Sequence, residues 1–361
     1  PELTVFEDRG GRELAIRPEM TPSVTRLVSK VYELLPKPIR FFSIANFYRN
    51  EKPQRGRNRE FWQLNFDIFG SNSILSDLEI LQISLDIMLA FKPPTGAFTL
   101  YINNRQLINA ALPKVDSKTK QDLIRILDKS EKLSEEEMRD RLKEIGLDTT
   151  QVEQVVAYSS GAYDYKALPE YAICEDLITN LTNLGYGEWI KFKPNIIRGF
   201  DYYDGMVFEV FDNNPKNNRS MFGGGRYNGL ANIFGCESFP AVGCAPGDET
   251  IRLFLESWEL IPTLKSTPTK VLVTIFSSDL ITSSLNLSVS LRAQNINCEL
   301  YPDVTTKLDK QLKYASLKGV PFVAILGPEE IDKNVVTLKN MQTGEQKTCK
   351  LDKCLPEIKR I

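Results

Sequence analysis

Residues 195–210, NIIRGFDYYDGMVFEV, and 222–230, FGGGRYNGL, decide how this chain is read. Met206 to Val210 alternates like a half-buried strand, which places the segment Arg198-Gly199-Phe200-Asp201-Tyr202-Tyr203 at a strand end. Gly223-Gly224-Gly225 permits positive φ and close backbone approach, so a turn lying over a ligand is expected there. A lone arginine, a tyrosine pair and a glycine run together read as a pocket wall. The plain alternative is a hairpin with a glycine bulge and an exposed arginine.

Around this stretch, composition limits the chemistry. The chain has 361 residues, 42% hydrophobic and 25% charged, enough for two or three cores, because single cores stop growing near roughly 250 residues. No apolar run approaches the roughly 18 residues of a membrane span, and PELTVFEDRGG at residues 1–11 lacks an apolar signal core, so no membrane association and a cytoplasmic location are expected. There is no histidine at all, which excludes a Ser/His triad, an imidazole base and His-ligated zinc. Catalysis must then rest on carboxylates, arginine, lysine, tyrosine, backbone groups or an ion held by oxygen. The six cysteines, 174, 236, 244, 298, 349 and 354, form no CxxC pair; they read as reduced, mostly buried thiols, with no protein metal site. At a net charge of −2, a nucleic-acid partner would have to meet a local basic patch. A start at Pro1 rather than Met, already inside a strand pair, predicts that a segment precedes it.

The pattern predicts strands at 3–6 and 13–16, then a helix from Ser23 towards Leu35 with Thr21 as its cap and Pro22 in its first turn. Strands at 39–47 and 61–70 flank a charged loop at 49–59. Alternation of Trp62, Leu64, Phe66 and Ile68 puts Gln63, Asn65 and Asp67 on the opposite, polar face. A helix at 76–91 and a strand at 98–102 follow. Residues 113–189 turn helical, with Ser134 and Glu137 as a capping box and Gly146 as a stop. Strands resume from Lys191. Beyond a proline-bearing linker, the apolar runs 271–276, 298–301 and 321–326 alternate with helical patterns, predicting a small α/β domain with a largely parallel sheet.

The loop from Arg49 to Arg59 carries arginines at 49, 55, 57 and 59 plus Lys52. Guanidinium forks match phosphate geometry, so this tip is a candidate for nucleotide or RNA contact; a solvated charged loop is the plain alternative.

Four ordered segments, RPEMTPSVTRL, FYRNEKPQRGRNREFWQLNFDIFG, IIRGFDYYDGMVFE and GGGRYNGL, resemble the signatures of histidyl-tRNA synthetase, a class II aminoacyl-tRNA synthetase. The resemblance implies an α+β fold. An antiparallel-sheet catalytic domain would occupy 1–112 and 190–262, interrupted by a helical insertion at 113–189, with a C-terminal α/β anticodon-binding domain at 268–361. It implies an ATP-dependent, Mg2+-assisted ligase of protein biosynthesis that joins L-histidine to tRNA(His), acts as a homodimer and resides in the cytoplasm.

Site residues carry over position by position. Glu19 and Thr21 stand where the family binds the amino group of histidine and the adjoining adenylate. Arg49 stands where an arginine holds the α-phosphate of ATP, with Glu51 beside it. Gln63 and Asp67 match readers of the amino group and imidazole, although the family often has Glu at the latter position. Arg198 matches the histidine-specific arginine, and Tyr202, Tyr203 and Tyr227 fall near the imidazole pocket. Gln54 and Arg59 match a loop that approaches the acceptor end of the tRNA.

Two departures stand out. The family's third motif usually carries an arginine that stacks on adenine; here the segment is Gly247-Asp248-Glu249-Thr250, and the nearest arginine is Arg252. The first motif, which in the family builds the dimer interface, is expected before Pro1. Two other readings remain: a catalytically silent, histidine-binding paralogue that regulates histidine biosynthesis, and an RNA-binding module resting only on the basic loop.

Overall fold

The computed structural model describes residues 3–130, 133–197, 202–217, 219–263 and 267–359, and divides into two compact units, 1–261 and 262–361. The first opens with an antiparallel ribbon, β1 (Thr4–Glu7) and β2 (Glu13–Ile16). Helix α1 (Thr21–Val31) follows and tightens into a 3-10 turn over Tyr32–Leu34. The sequence makes Thr21 its cap, but the cap position is Met20, without a side-chain bond, and Thr21 is the first helical residue. Pro22 brings no amide hydrogen to be capped. Thr21 is buried, and its carbonyl accepts from Thr25 Oγ1 at 2.8 Å.

Strands β3 (Ile39–Tyr48) and β4 (Glu60–Phe69) pair along their whole length, from Ile39 opposite Phe69 to Tyr48 opposite Glu60. After them come α2 (Ile74–Leu89), β5 (Phe98–Asn104), α3 (Arg105–Ala111), α4 (Ser117–Asp128), α5 (Glu135–Glu144), α6 (Thr149–Ser160) and α7 (Ala172–Leu181). The capping box forms: Ser134 Oγ accepts from the amide of Glu137 at 3.2 Å, and the Glu137 carboxylate accepts from that of Ser134 at 2.9 Å. Gly146 takes φ +91° just past the same helix. The unit closes with β6 (Ile190–Phe192), β7 (Met206–Asp212), β8 (Arg219–Arg226), β9 (Ala241–Cys244) and α8 (Asp248–Ser257).

Seven strands form one sheet in the order β3-β4-β9-β8-β7-β5-β6, antiparallel throughout except for the parallel pair β5–β6. Its main core joins Ile80, Leu81 and Leu85 of α2, Leu177 and Leu181 of α7, and Phe254 of α8 to inward side chains such as Phe98 and Phe208. A second core belongs to α3–α6, where Ile108, Leu123, Leu127, Leu142 and Val155 meet.

The glycine run corrects its sequence reading. Gly223 to Gly225 lie inside β8, and none has positive φ. Gly224 and Gly225 are required for space. A Cβ on Gly224 would run into the carbonyl oxygen of Gly243, and one on Gly225 would lie 2.5 Å from the Met206 oxygen and 2.9 Å from the Tyr203 ring. The bulge in this hairpin lies at Val210/Phe211, away from the glycines.

The second unit contains β10 (Val271–Val273), α9 (Ile281–Ala293), β11 (Cys298–Leu300), α10 (Leu308–Lys318), β12 (Phe322–Ile325), α11 (Pro328–Asp332), β13 (Val336–Asn340), β14 (Gln346–Cys349) and α12 (Leu351–Lys359). Strands β11, β10 and β12 are parallel, and antiparallel β13 and β14 extend the sheet. The cysteine expectation fails at one pair: Cys349 and Cys354 form a disulfide, since the first turn of α12 doubles back on the end of β14. Cys174, Cys236, Cys244 and Cys298 take part in no disulfide among the described residues; Cys174 and Cys244 are buried, and Cys236 and Cys298 are half-buried.

Candidate active site

A cleft of about 550 Å³ opens in the first unit between the 49–59 loop, β4, β8 and the start of α8. Of the predicted site residues, Glu19, Thr21, Arg49, Glu51, Gln63, Tyr202 and Tyr203 line it together. Asp67 and Tyr227 lie buried behind that lining, and Gln54 and Arg59 stay outside it on the loop. Arg198 lies outside the described residues.

Arg49 extends β3 by one residue and is fixed by its surroundings. Its amide donates to the Arg59 carbonyl at 2.9 Å, its Nε donates to the Pro18 carbonyl at 3.1 Å, and its guanidinium carbon sits 4.9 Å above the Phe61 ring. Glu51 is 3.9 Å away, and its other oxygen meets Arg57 at 3.1 Å. Those contacts leave the outer nitrogens of Arg49 free of hydrogen bonds among the described residues, the state suited to an incoming anion. Across the cleft, Tyr202 donates to Glu19 Oε2 at 3.0 Å. Burial raises the pKa of this phenol, so it stays a donor.

Strand periodicity brings Gln63, Asn65 and Asp67 to one face of β4, and all three are buried. Gln63 Nε2 donates to the Ala245 carbonyl at 3.2 Å. Among the described residues Gln63 Oε1 and Asn65 Oδ1 are buried acceptors without a donor, which is costly unless a donor arrives. Asp67 accepts from the Tyr227 hydroxyl at 2.6 Å. Burial pushes its carboxyl up to about 7, against the opposing pull of that bond. The room for Asp67 comes from Gly243, where a Cβ would overlap Oδ1 and lie 2.8 Å from Cγ.

The Gly247-Asp248 segment acts as a tie. Asp248 Oδ1 accepts from the amide of Trp62 at 3.1 Å, and Thr250 Oγ1 donates to the Met221 carbonyl at 2.8 Å, so α8 starts anchored to β4 and β8. Arg252 does not line the cleft; it pairs at the surface with Glu249 at 2.7 Å and with Glu256.

Sequence reasoning missed Arg226 and Asp77. Arg226 is buried, donates to both carboxylate oxygens of Asp77 at 3.0 and 2.8 Å, and reaches the Ser71 carbonyl at 2.9 Å. This braces the strand end that presents Tyr227. The only signal available was an arginine closing a glycine-rich strand, with Asp77 in an α2 that reads as apolar. Arg57 of the basic loop lines the cleft, and so do Glu209 and Asn58, which the sequence does not single out.

Comparison with known proteins bears on the family and the fold. The histidyl-tRNA synthetase family model matches residues 2–251, and an anticodon binding domain model matches 270–361. Histidine–tRNA ligase of Leptospira biflexa is 37% identical over 364 residues, covering 98% of this chain and 83% of the relative. The ligase of Pyrococcus horikoshii is 34% identical, with 100% and 86% covered. The crystal structure of histidyl-tRNA synthetase from Nostoc sp. PCC 7120 superimposes with a TM-score of 0.80 at 24% identity, over 99% of this chain and 86% of that one, a likeness of fold. The model match and the two near-full-length relatives give one answer: the chain belongs to the histidyl-tRNA synthetase family.

Proposed function

We infer that this protein is an ATP-dependent ligase that charges tRNA(His) with L-histidine through a histidyl-adenylate. The observation that carries the reading is one cleft that sets the open guanidinium of Arg49 opposite Glu19 and the donorless Gln63 oxygen, with the Asp67–Tyr227 pair behind. An α-amino acid needs acceptors for its ammonium group and a cation beside its carboxylate; the cleft offers both.

In this reading Glu19, Thr21 and Gln63 hold the amino group. Asp67, steadied by Tyr227, reads the imidazole alongside Tyr202 and Tyr203. Discrimination follows because an apolar competitor would leave these buried polar groups unpaired. The histidine carboxylate attacks the α-phosphorus of ATP and pyrophosphate leaves. Two anions meet in that step, and Arg49, with Glu51 fixing the loop around it and with Arg198 in the role its resemblance to the family's histidine-specific arginine implies, neutralises the growing charge. The 3′-terminal ribose hydroxyl of the tRNA then attacks the acyl carbon, a phosphate oxygen takes its proton, and AMP departs. Gln54 and Arg59 meet the acceptor end.

Among the described residues no trio of His, Cys, Asp or Glu forms a metal nest. Mg2+ would come with ATP and supply charge to offset its phosphates, and the cleft carboxylates Glu209 and Glu249 are the residues that would hold it.

Residues 1–112 and 190–262 act as the catalytic domain, 113–189 as a helical insertion and 268–361 as the anticodon-binding domain. The protein works in the cytoplasm; no helix among the described residues is long and apolar enough to cross a membrane. Phe42 and Ile44, 76% and 64% exposed on edge strand β3, are the apolar surface we assign to a second copy in a homodimer. The match to an anticodon binding domain gives the silent-regulator reading no support.

The direct test is histidine-dependent exchange of pyrophosphate into ATP. Exchange is expected with the unmodified protein and should fall on the order of a hundredfold in Arg198→Ala, as for loss of one preorganised charge-stabilising donor. Tight histidine binding without any exchange would overturn the ligase reading.

A further inference from the structure

The tip of the 49–59 loop is gripped from two sides. Gly56 is buried while Arg55 and Arg57 on either side are exposed. It takes φ +77°, a region glycine enters without strain. A Cβ at this position would overlap Arg219 Nη1 and lie 2.9 Å from Leu253 Cδ1. Arg219 is the first residue of β8, and its Nη1 donates to the main-chain carbonyl of Arg55. Leu253 is a buried residue of α8.

The tip is also a tight turn. Gln54 and Arg57 exchange main-chain hydrogen bonds of 3.2 and 2.9 Å. Whatever holds Gly56 therefore also sets Arg57 and Asn58, both of which line the cleft. Arg219 has no carboxylate partner among the described residues, and burial, followed by the charges of Arg57 and Arg55, lowers its pKa. An arginine kept beside two others in that way does not serve an ion pair. Its planar fork suits a carbonyl and the flat face of a glycine.

We propose that Arg219 is a positioning residue, a latch from β8 to the main chain of the loop tip that fixes Arg57 at the cleft for the ATP-dependent step. It rests on the ligase reading for its kinetic consequence, but not for its structural one. The latch predicts an effect on ATP and none on histidine, whose proposed contacts lie on Glu19 and Thr21, β4, the 202–203 segment and Tyr227, none of them on the loop tip.

The test has two readouts. The first is limited trypsin digestion without substrates, following cleavage after Arg55 and Arg57 by mass spectrometry. Arg219→Ala should be cut there several-fold faster than the parent, with Arg219→Lys in between. Gly56→Ala, which expels the same contact from the other side, should behave like Arg219→Ala. The second is histidine-dependent exchange, where Arg219→Ala should raise the KM for ATP about tenfold, the scale of a misplaced contact group, with the KM for histidine unchanged. Unchanged cleavage in both variants overturns the latch. Faster cleavage with unchanged KM for ATP, or an equal rise for histidine, overturns the positioning role. Absence of exchange in the unmodified protein would instead sink the ligase reading, and the digestion would still decide the latch.

Discussion

On the sheet side of the cleft Asp67 is sealed from solvent, whereas on the loop side Arg57 stands largely exposed. Asp67 is sealed by the Tyr227 hydroxyl and by the bare backbone of Gly243, in a layer where Gly224 and Gly243 admit no added atom. The Arg57 side chain is 57% exposed, and its loop is fixed by the 49–59 main-chain bond and the grip on Gly56. Shape recognition and charge handling therefore use different materials here. Packing defines the small polar pocket to the width of an atom. In the proposed function the phosphate side relies on long cations that must admit a nucleotide and then release its product.

If that contrast is right, the largest effect comes from filling the sheet side. Gly243→Ala should cost about 3 kcal/mol or more of stability in urea unfolding, since the new methyl overlaps Asp67 Oδ1 and the strand has nowhere to move. A loss below about 1 kcal/mol would show that this wall yields after all. Arg49→Ala should leave the unfolding curve in place and lower histidine-dependent exchange about a hundredfold. Parallel loss of stability and activity would erase the distinction between the walls.

The buried carboxylate gives a subtler probe. Burial pushes this carboxyl up to about 7, well above the ordinary carboxylate range, so the folded state holds the proton more tightly than the unfolded one. Its contribution is therefore most favourable below about pH 4, declines as pH rises towards 7 and is constant above, with a slope of at most about 1.4 kcal/mol per unit. In Asp67→Asn this part of the pH dependence should vanish from denaturation curves measured between pH 4.5 and 7.5; a slope equal to the parent's would move the titration elsewhere. The smallest effect is expected at Arg252→Ala. Its ion pairs are on the surface, so stability should change by less than about 0.5 kcal/mol and the KM for ATP not at all. A raised KM would return Arg252 to the nucleotide.

What the sequence discloses follows from how local each cause is. The two-residue period of 61–69 puts Gln63, Asn65 and Asp67 on one face, and the β3–β4 hairpin delivers them there. The Ser134–Glu137 box is equally local. The glycine run misleads because turns and crowded strands ask for the same residue, and only the distant Gly243 tells them apart. Thr21 reads as a cap from its neighbours, yet its inward burial depends on the body of the unit. Asp67 is legible as a site residue but not as a sealed one, because its seal is Tyr227, a partner far along the chain. Strands β13 (VTLKN) and β14 (QKTC) lack the unbroken apolar runs that mark β10 and β12. The Cys349–Cys354 bond depends on a strand-to-helix turn that spacing alone does not draw.

The parallel pairing of β5 with β6 has a consequence for rebuilding the protein. A chain leaving β5 must travel back along its full length before β6 can begin, which takes a dozen residues or more. Helix α7 makes that return and packs Leu177 and Leu181 into the core of the sheet, while α4–α6 gather around a second core that they share with Ile108 and Ala111 of α3. An engineer shortening this enzyme could thus aim to excise α4–α6 as a unit and graft another module in its place, but would have to leave α7 as the bridge on which the sheet closes.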